Sequence, residues 1–309
     1  MTGSTDSATA GTVWRPGRPV DLCLTLAPLS HGPADPTCRV AADGVLWRTA
    51  LTPHGPGTQA VWLAGSGEVH ARAWGPGADW LVDGVPDLLG ARDDVTGFDP
   101  GHPVPARIWR RHPGLRVPRT GLVWDALVPA VLEQKVTSVE AWRSWRELVR
   151  RFGQAAPGPA PTGMRVVPAP RVLADLPRWE WHRAGVDISR RRAIRAAAVV
   201  APRLAEAVGM EPAAALARLR VVPGIGPWTA AEVAQRAFGD ADAVSVGDYH
   251  IPGLVGRVLV GEPLDDEGML TVLEEYRPHR HRLVRLLVIG AARAPRRTPR
   301  APIRNYRAM

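Results

Sequence analysis

The hydrophobic period of this chain changes from two residues to 3.6 near position 115, and that change bounds what it can fold into. Before it, short β-like runs at 20–26, 38–42, 45–51, 59–63 and 69–74 alternate with turn residues, and Asp43-Gly44 between two of them is a tight-turn dipeptide. After it, Trp124, Leu127, Val128, Val131 and Leu132 fall on one helical face, as do Val139, Trp142, Trp145, Leu148, Val149 and Phe152. Thr137 with Glu140 three residues on predicts a capping box that restarts a helix and leaves Gln134-Lys135-Val136 in the bend before it. Residues 154–170 read as a loop. Further helices are predicted at 189–208, 211–221, 227–238, 249–260, 265–276 and 279–292, with Pro212 and Pro227 in first turns and Gly153, Gly209, Gly239 and Gly261 as stops.

The expected fold class is therefore mostly α with an N-terminal, β-rich α+β domain. Its division is a flexible tail at 1–18, the α+β domain at 19–115, an all-α domain at 116–292 and a basic tail at 293–309. The Pro/Gly-rich connection at 85–120 carries one short candidate helix at 104–111. At 309 residues with 45% hydrophobic content the chain can bury the cores of two or three domains. Only Cys23 and Cys38 are present, which excludes a four-cysteine iron–sulfur or zinc site and argues against a disulfide framework. The polar start at 1–16 is no signal peptide, and no stretch approaches the roughly 18 uncharged apolar residues of a membrane span. The chain reads as a cytoplasmic protein with no membrane partner.

Charge is unevenly spread. Residues 1–100 carry 6 Arg against 11 acidic side chains, whereas 101–309 carry 33 basic against 19 acidic, a net of +14. A basic domain of this kind attracts polyanions. Arg190, Arg191 and Arg192 open a helix where they either touch such a partner or stay exposed, and the ten Arg from 276 to 309, with no acid among them, extend the basic character. His279 and His281 match no metal-ligand spacing and are expected to face phosphate.

The most specific element is residues 219–230, Leu-Arg-Val-Val-Pro-Gly-Ile-Gly-Pro-Trp-Thr-Ala, between two predicted helices. Glycines at 224 and 226 let an anion approach the backbone, and the amides of the following helix start point at it. The other reading is an ordinary tight turn. Arg220 and Arg236 add phosphate contacts or lie on solvated helix faces. Twenty residues after Trp228, the apolar run Val244-Ser245-Val246 ends in Gly247-Asp248 at a helix start. A carboxylate there is either an N-cap or a reactive group.

Together, the Pro-Gly-Ile-Gly hairpin and the downstream Gly-Asp resemble the helix-hairpin-helix DNA glycosylase superfamily. Gly-Ile-Gly-Pro-Trp-Thr-Ala, the Gln-x-Val-Thr at 134–137 and the β-rich N-terminal domain are similar to its 3-methyladenine DNA glycosylase II family. The resemblance covers about residues 20–292, and its most specific part is 219–251. It implies the helix-hairpin-helix glycosylase fold with a TBP-like N-terminal domain. The implied activity is removal of alkylated purines from double-stranded DNA by a monomer with no metal or cofactor. Asp248 is then the catalytic carboxylate, with Trp228, Gln134 and Glu232 at the base pocket, Glu232 being alternatively a solvent-facing helix residue. Val222, Gly224, Gly226, Thr229, Lys135 and Arg236 contact DNA, Lys135 either as a wedge in the gap left by the flipped nucleotide or as a surface phosphate contact. Members that also cut the strand carry a nucleophilic lysine where this chain has Trp228, so strand cleavage is not expected. The alternatives are a non-catalytic DNA-binding module of the same hairpin type and a glycosylase for oxidised or deaminated purines.

Overall fold

The computed structural model describes residues 9–291, so the first eight residues and the basic tail after 291 lie outside it. Thr9–Trp14 (β1) is the edge of an antiparallel sheet with β2 (Cys38–Val40), β3 (Leu46–Thr52), β4 (Gly55–Leu63) and β5 (Val69–Trp74), in the order β1-β5-β4-β3-β2. Four of the five predicted strands are present within a few residues. The fifth, at 20–26, is instead helix α1 (Leu22–Leu26), capped by the Asp21 carboxylate, which accepts the Leu24 N–H at 3.0 Å. Leu22, Thr25 and Leu26 turn inward together, the i, i+3, i+4 spacing of a helix, whereas a strand would turn Thr25 away from the other two. The expected loose tail also requires correction, because β1 pairs along its whole length with β5, from Thr9 opposite Trp74 to Trp14 opposite Val69.

Two short helices, α2 (Ala78–Asp83) and α3 (Val85–Leu88), supply the apolar cover of the sheet. Leu46, Val61, Val69 and Ala71 pack with Val85, Leu88 and Leu89, and Ala50 and Ala73 with Ala78, Leu81 and Val82. Beyond them α4 (Pro103–Arg111) packs against the last helix, α15 (Arg280–Ala291). The large core is built around α5 (Val123–Leu132), in which eight of ten residues are buried. Helix α6 (Ser138–Phe152) begins with the predicted capping box, Thr137 and Glu140 exchanging backbone and side-chain bonds.

The loop at 154–170 is followed by two six-residue helices, α7 (Pro170–Asp175) and α8 (Arg178–Arg183), too short to show a helical period in sequence. The single helix predicted at 189–208 is α9 (Ile188–Val199) and α10 (Ala201–Ala205), parted at Val200 two residues before Pro202. Then come α11 (Pro212–Arg220) and α12 (Pro227–Val233), the latter widening into a π turn at Ala234–Phe238 that stops at left-handed Gly239 (φ 71°). The chain closes with α13 (Ile251–Leu259), α14 (Asp266–Leu273) and α15. No helix of the described residues is long and apolar enough to cross a membrane.

Several basic residues read as outward-facing are internal. Arg190 is 2% exposed and donates to the carbonyls of Leu132 and Gly185 and to Asp187, while Arg192 is exposed. His279 is buried with its ring against Phe98. Burial, followed by the neighbouring guanidinium groups of Arg285, Arg236 and Arg282, drives His281 well below the ordinary imidazole range. Buried His279 is therefore not placed to face phosphate.

Candidate functional site

The hairpin between α11 and α12 is anchored by Val222 and Ile225, both turned into the core. Val222 therefore presents no side chain to a partner. Gly224 is exposed with φ 89°, and a Cβ there would lie 2.7 Å from the Cβ of Ala193 on α9, so the fold requires glycine on both grounds. Gly226 differs: its backbone is extended (φ −89°) and a Cβ would meet nothing within 4 Å. The amides of Gly224, Gly226, Trp228 and Thr229 donate to no protein group among the described residues. Arg220 is exposed beside them.

This contrast yields a prediction. Gly224→Ala should cost more than about 1 kcal/mol of stability through left-handed strain and overpacking. Gly226→Ala should stay within about 0.5 kcal/mol of native yet weaken duplex binding, because its methyl occupies the approach to the free amides. Chemical denaturation and duplex titration of the two variants check both halves.

The bend before α6 is tied to this hairpin. Gln134 Nε2 donates to the Gly224 carbonyl at 2.9 Å and to Thr229 Oγ1 at 2.8 Å. Thr229 is buried, and its hydroxyl oxygen is the acceptor of that bond. Next to Gln134, Lys135 is exposed and holds a left-handed backbone (φ 55°), uncommon for a residue with a side chain. The bend thus projects Lys135 from a point fixed to the hairpin.

In the first turn of α12, Trp228 links the hairpin to the second motif. Its indole N–H donates to Asp248 Oδ2 at 3.0 Å, while Asp248 Oδ1 accepts the N–H groups of His250 at 2.7 Å and Ile251 at 2.9 Å. The two oxygens of this half-buried aspartate serve different partners: Oδ1 accepts the first amide of α13 and that of His250, its N-cap residue, so that the helix starts two residues later than predicted, and Oδ2 is held by the indole. Gly247, at φ 90°, makes the turn and donates its N–H to Asp266 Oδ1 at 2.9 Å. Tyr249, 93% exposed, stands at the lip with its ring edge-on to His250.

Glu232 and Arg236 do not join this surface. Arg236 Nη1 donates to Glu232 Oε2 at 2.8 Å and to its carbonyl at 2.9 Å, and its Nε donates to the Pro28 carbonyl at 3.0 Å. An arginine so committed ties α12 to the N-terminal segment and is not aimed at phosphate. Glu232, 8% exposed, is no solvent-facing residue either, and its other oxygen accepts the Ser245 hydroxyl. Sequence reasoning missed Ser245 and its second partner Gln235, a buried serine within an apolar run carrying no signal of its own.

No protein-family model matches the chain. It is 33% identical over 233 residues to the Mycobacterium tuberculosis protein named "Probable bifunctional transcriptional activator/DNA repair enzyme AlkA", a match covering 70% of this chain and 44% of that one, so the chain spans less than half of the curated relative. The structure of a 3-methyladenine DNA-glycosylase from Archaeoglobus fulgidus superposes with a TM-score of 0.76 at 16% identity, covering 91% of this chain and 98% of its own. An 8-oxoguanine glycosylase/lyase of Clostridium acetobutylicum, in complex with double-stranded DNA, gives 0.72 at 11% identity, covering 93% and 97%. Fold and hairpin together define the class: the chain has the fold of the helix-hairpin-helix DNA glycosylases.

Proposed function

We propose that this protein is a monofunctional DNA glycosylase of base excision repair, hydrolysing the N-glycosidic bond of alkylated purines of the 3-methyladenine type in double-stranded DNA. The observation that carries the reading is the Asp248 carboxylate, held at 3.0 Å by the indole of Trp228, whose own amide is one of the free amides of the hairpin and helix start. The amides of Gly224, Gly226, Trp228 and Thr229 are suited to a phosphate of the strand, and Lys135 is assigned to the gap left by the flipped nucleotide.

A stacked base is out of reach, so the nucleotide must swing out of the duplex, at a cost of a few kcal/mol that falls where pairing is already weakened. Alkylation at N3 or N7 leaves a purine positively charged. As the glycosidic bond breaks, its electron pair neutralises that charge, and little general acid is needed. Positive charge develops on the deoxyribose instead, and Asp248 supplies a fixed negative charge where it appears. Water then adds at C1′ and its proton leaves to the carboxylate or to solvent. The Trp228 ring offers a face on which a cationic base gains attraction that a neutral one lacks.

One structural relative is named a glycosylase/lyase, so the fold alone accommodates both chemistries. Trp228 supports hydrolysis here, since the amine that a Schiff base needs is absent from that position and Lys135 is the chain's sole lysine. Methylated duplex incubated with the protein is expected to break only after alkali, with no covalent adduct on borohydride treatment. Breakage without alkali together with a borohydride-trapped adduct would overturn the monofunctional reading.

A further inference from the structure

Glu232 lies one turn beyond Trp228 on α12, and the reaction proposed above makes no direct use of it. Its two oxygens serve different elements. Oε2 is paired with Arg236, itself anchored on Pro28. Oε1 accepts the Ser245 hydroxyl at 2.5 Å, and Ser245 Oγ in turn accepts from Gln235 Nε2 at 2.8 Å, which also donates to the Ala243 carbonyl at 2.9 Å. Ser245 begins the turn that ends at Asp248, whose N–H donates back to the Ser245 carbonyl at 3.3 Å. The loop leading to the carboxylate is therefore clamped at Ala243 and Ser245 by side chains of the same helix that carries Trp228.

We infer that Glu232, acting through the Ser245 hydroxyl, is a positioning residue that fixes Asp248 relative to Trp228. The inference rests on the reading of Asp248 as the catalytic group. A hydroxyl bond to a carboxylate is shorter and stronger than one between neutral partners, and its rigidity matters here because Gly247 gives the turn freedom. Glu232 is compensated by Arg236, so its charge is available to hold the loop without standing alone in the interior. A displacement of about 1 Å at a reacting group is enough to lower a rate on the order of 100-fold.

Ser245→Ala is the informative variant, since it removes the hydroxyl and leaves the Glu232–Arg236 pair intact. Single-turnover release of methylated base, duplex affinity and thermal stability are measured in parallel, together with Glu232→Gln, which keeps an oxygen for Ser245. The expected result is a rate roughly 10- to 100-fold lower for Ser245→Ala, with affinity near native and most of the rate retained in Glu232→Gln. On an Asp248→Asn background, Ser245→Ala should lower the rate no further, because a positioning residue has nothing left to position. A native rate in Ser245→Ala, a loss matched by weaker duplex binding or lower stability, or a full further loss on the Asp248→Asn background would overturn the inference. If the native protein itself releases no base, the reading of Asp248 fails first.

Discussion

Asp248→Asn is expected to lower the single-turnover rate of base release at least on the order of 100-fold, about 2.7 kcal/mol of transition-state stabilisation. The substitution keeps shape. An asparagine carbonyl oxygen accepts backbone N–H groups as a carboxylate oxygen does, so the bonds from His250 and Ile251 to Oδ1 are retained and α13 should start where it does now. What changes is the atom beside Trp228. The negative Oδ2 becomes an amide NH₂ that cannot accept the indole N–H, and the charge that would face the developing oxocarbenium is gone. Duplex affinity should change little, because the hairpin amides and the Lys135 bend are untouched. A rate within about tenfold of native would show that another group supplies the charge.

Asp93→Ala should be the most damaging single change to stability, at about 3–5 kcal/mol, read by urea denaturation. Asp93 and Arg282 are both buried and meet in a two-pronged pair, Nη1 to Oδ2 at 2.8 Å and Nη2 to Oδ1 at 2.5 Å. Asp93 Oδ2 also accepts the Val117 N–H at 2.8 Å, and the guanidinium lies 5.6 Å from the Phe98 ring and 5.9 Å from that of Trp109. The pair thus pins α15 to the connection preceding α4. Removing the carboxylate leaves a guanidinium buried without its counter-charge, which is far costlier than removing both partners. Asp93→Ala combined with Arg282→Met should accordingly recover part of the loss. A cost below about 1 kcal/mol for the single variant would mean that water reaches Arg282.

The parts of this molecule legible in its sequence are those whose cause is local. The Thr137–Glu140 box and Gly224 of the hairpin each specify backbone within a few residues, and each is where it was expected. The run at 20–26 was misread because five apolar-rich residues suit either a strand or a helix turn, and Asp21 decides it only once its carboxylate caps Leu24. The fate of arginines was not legible. Arg190, Arg236 and Arg282 carry the same side chain as exposed Arg192 and Arg220, and only their distant partners, the Leu132 carbonyl, the Pro28 carbonyl and Asp93, make them internal. The candidate site was read as separate motifs. That Gln134 bonds the hairpin, that Trp228 bonds Asp248 and that Ser245 joins Glu232 to the same loop are contacts 95, 20 and 13 residues apart in sequence, beyond the reach of any local pattern.

The most direct test of the account is to identify the base set free when the native protein acts on duplex DNA carrying both methylated and oxidised purines. Release of 3-methyladenine, abolished in Asp248→Asn, is the predicted result. Release of the oxidised purine alone, or no base at all while the duplex is bound with a steep dependence on salt, would contradict it.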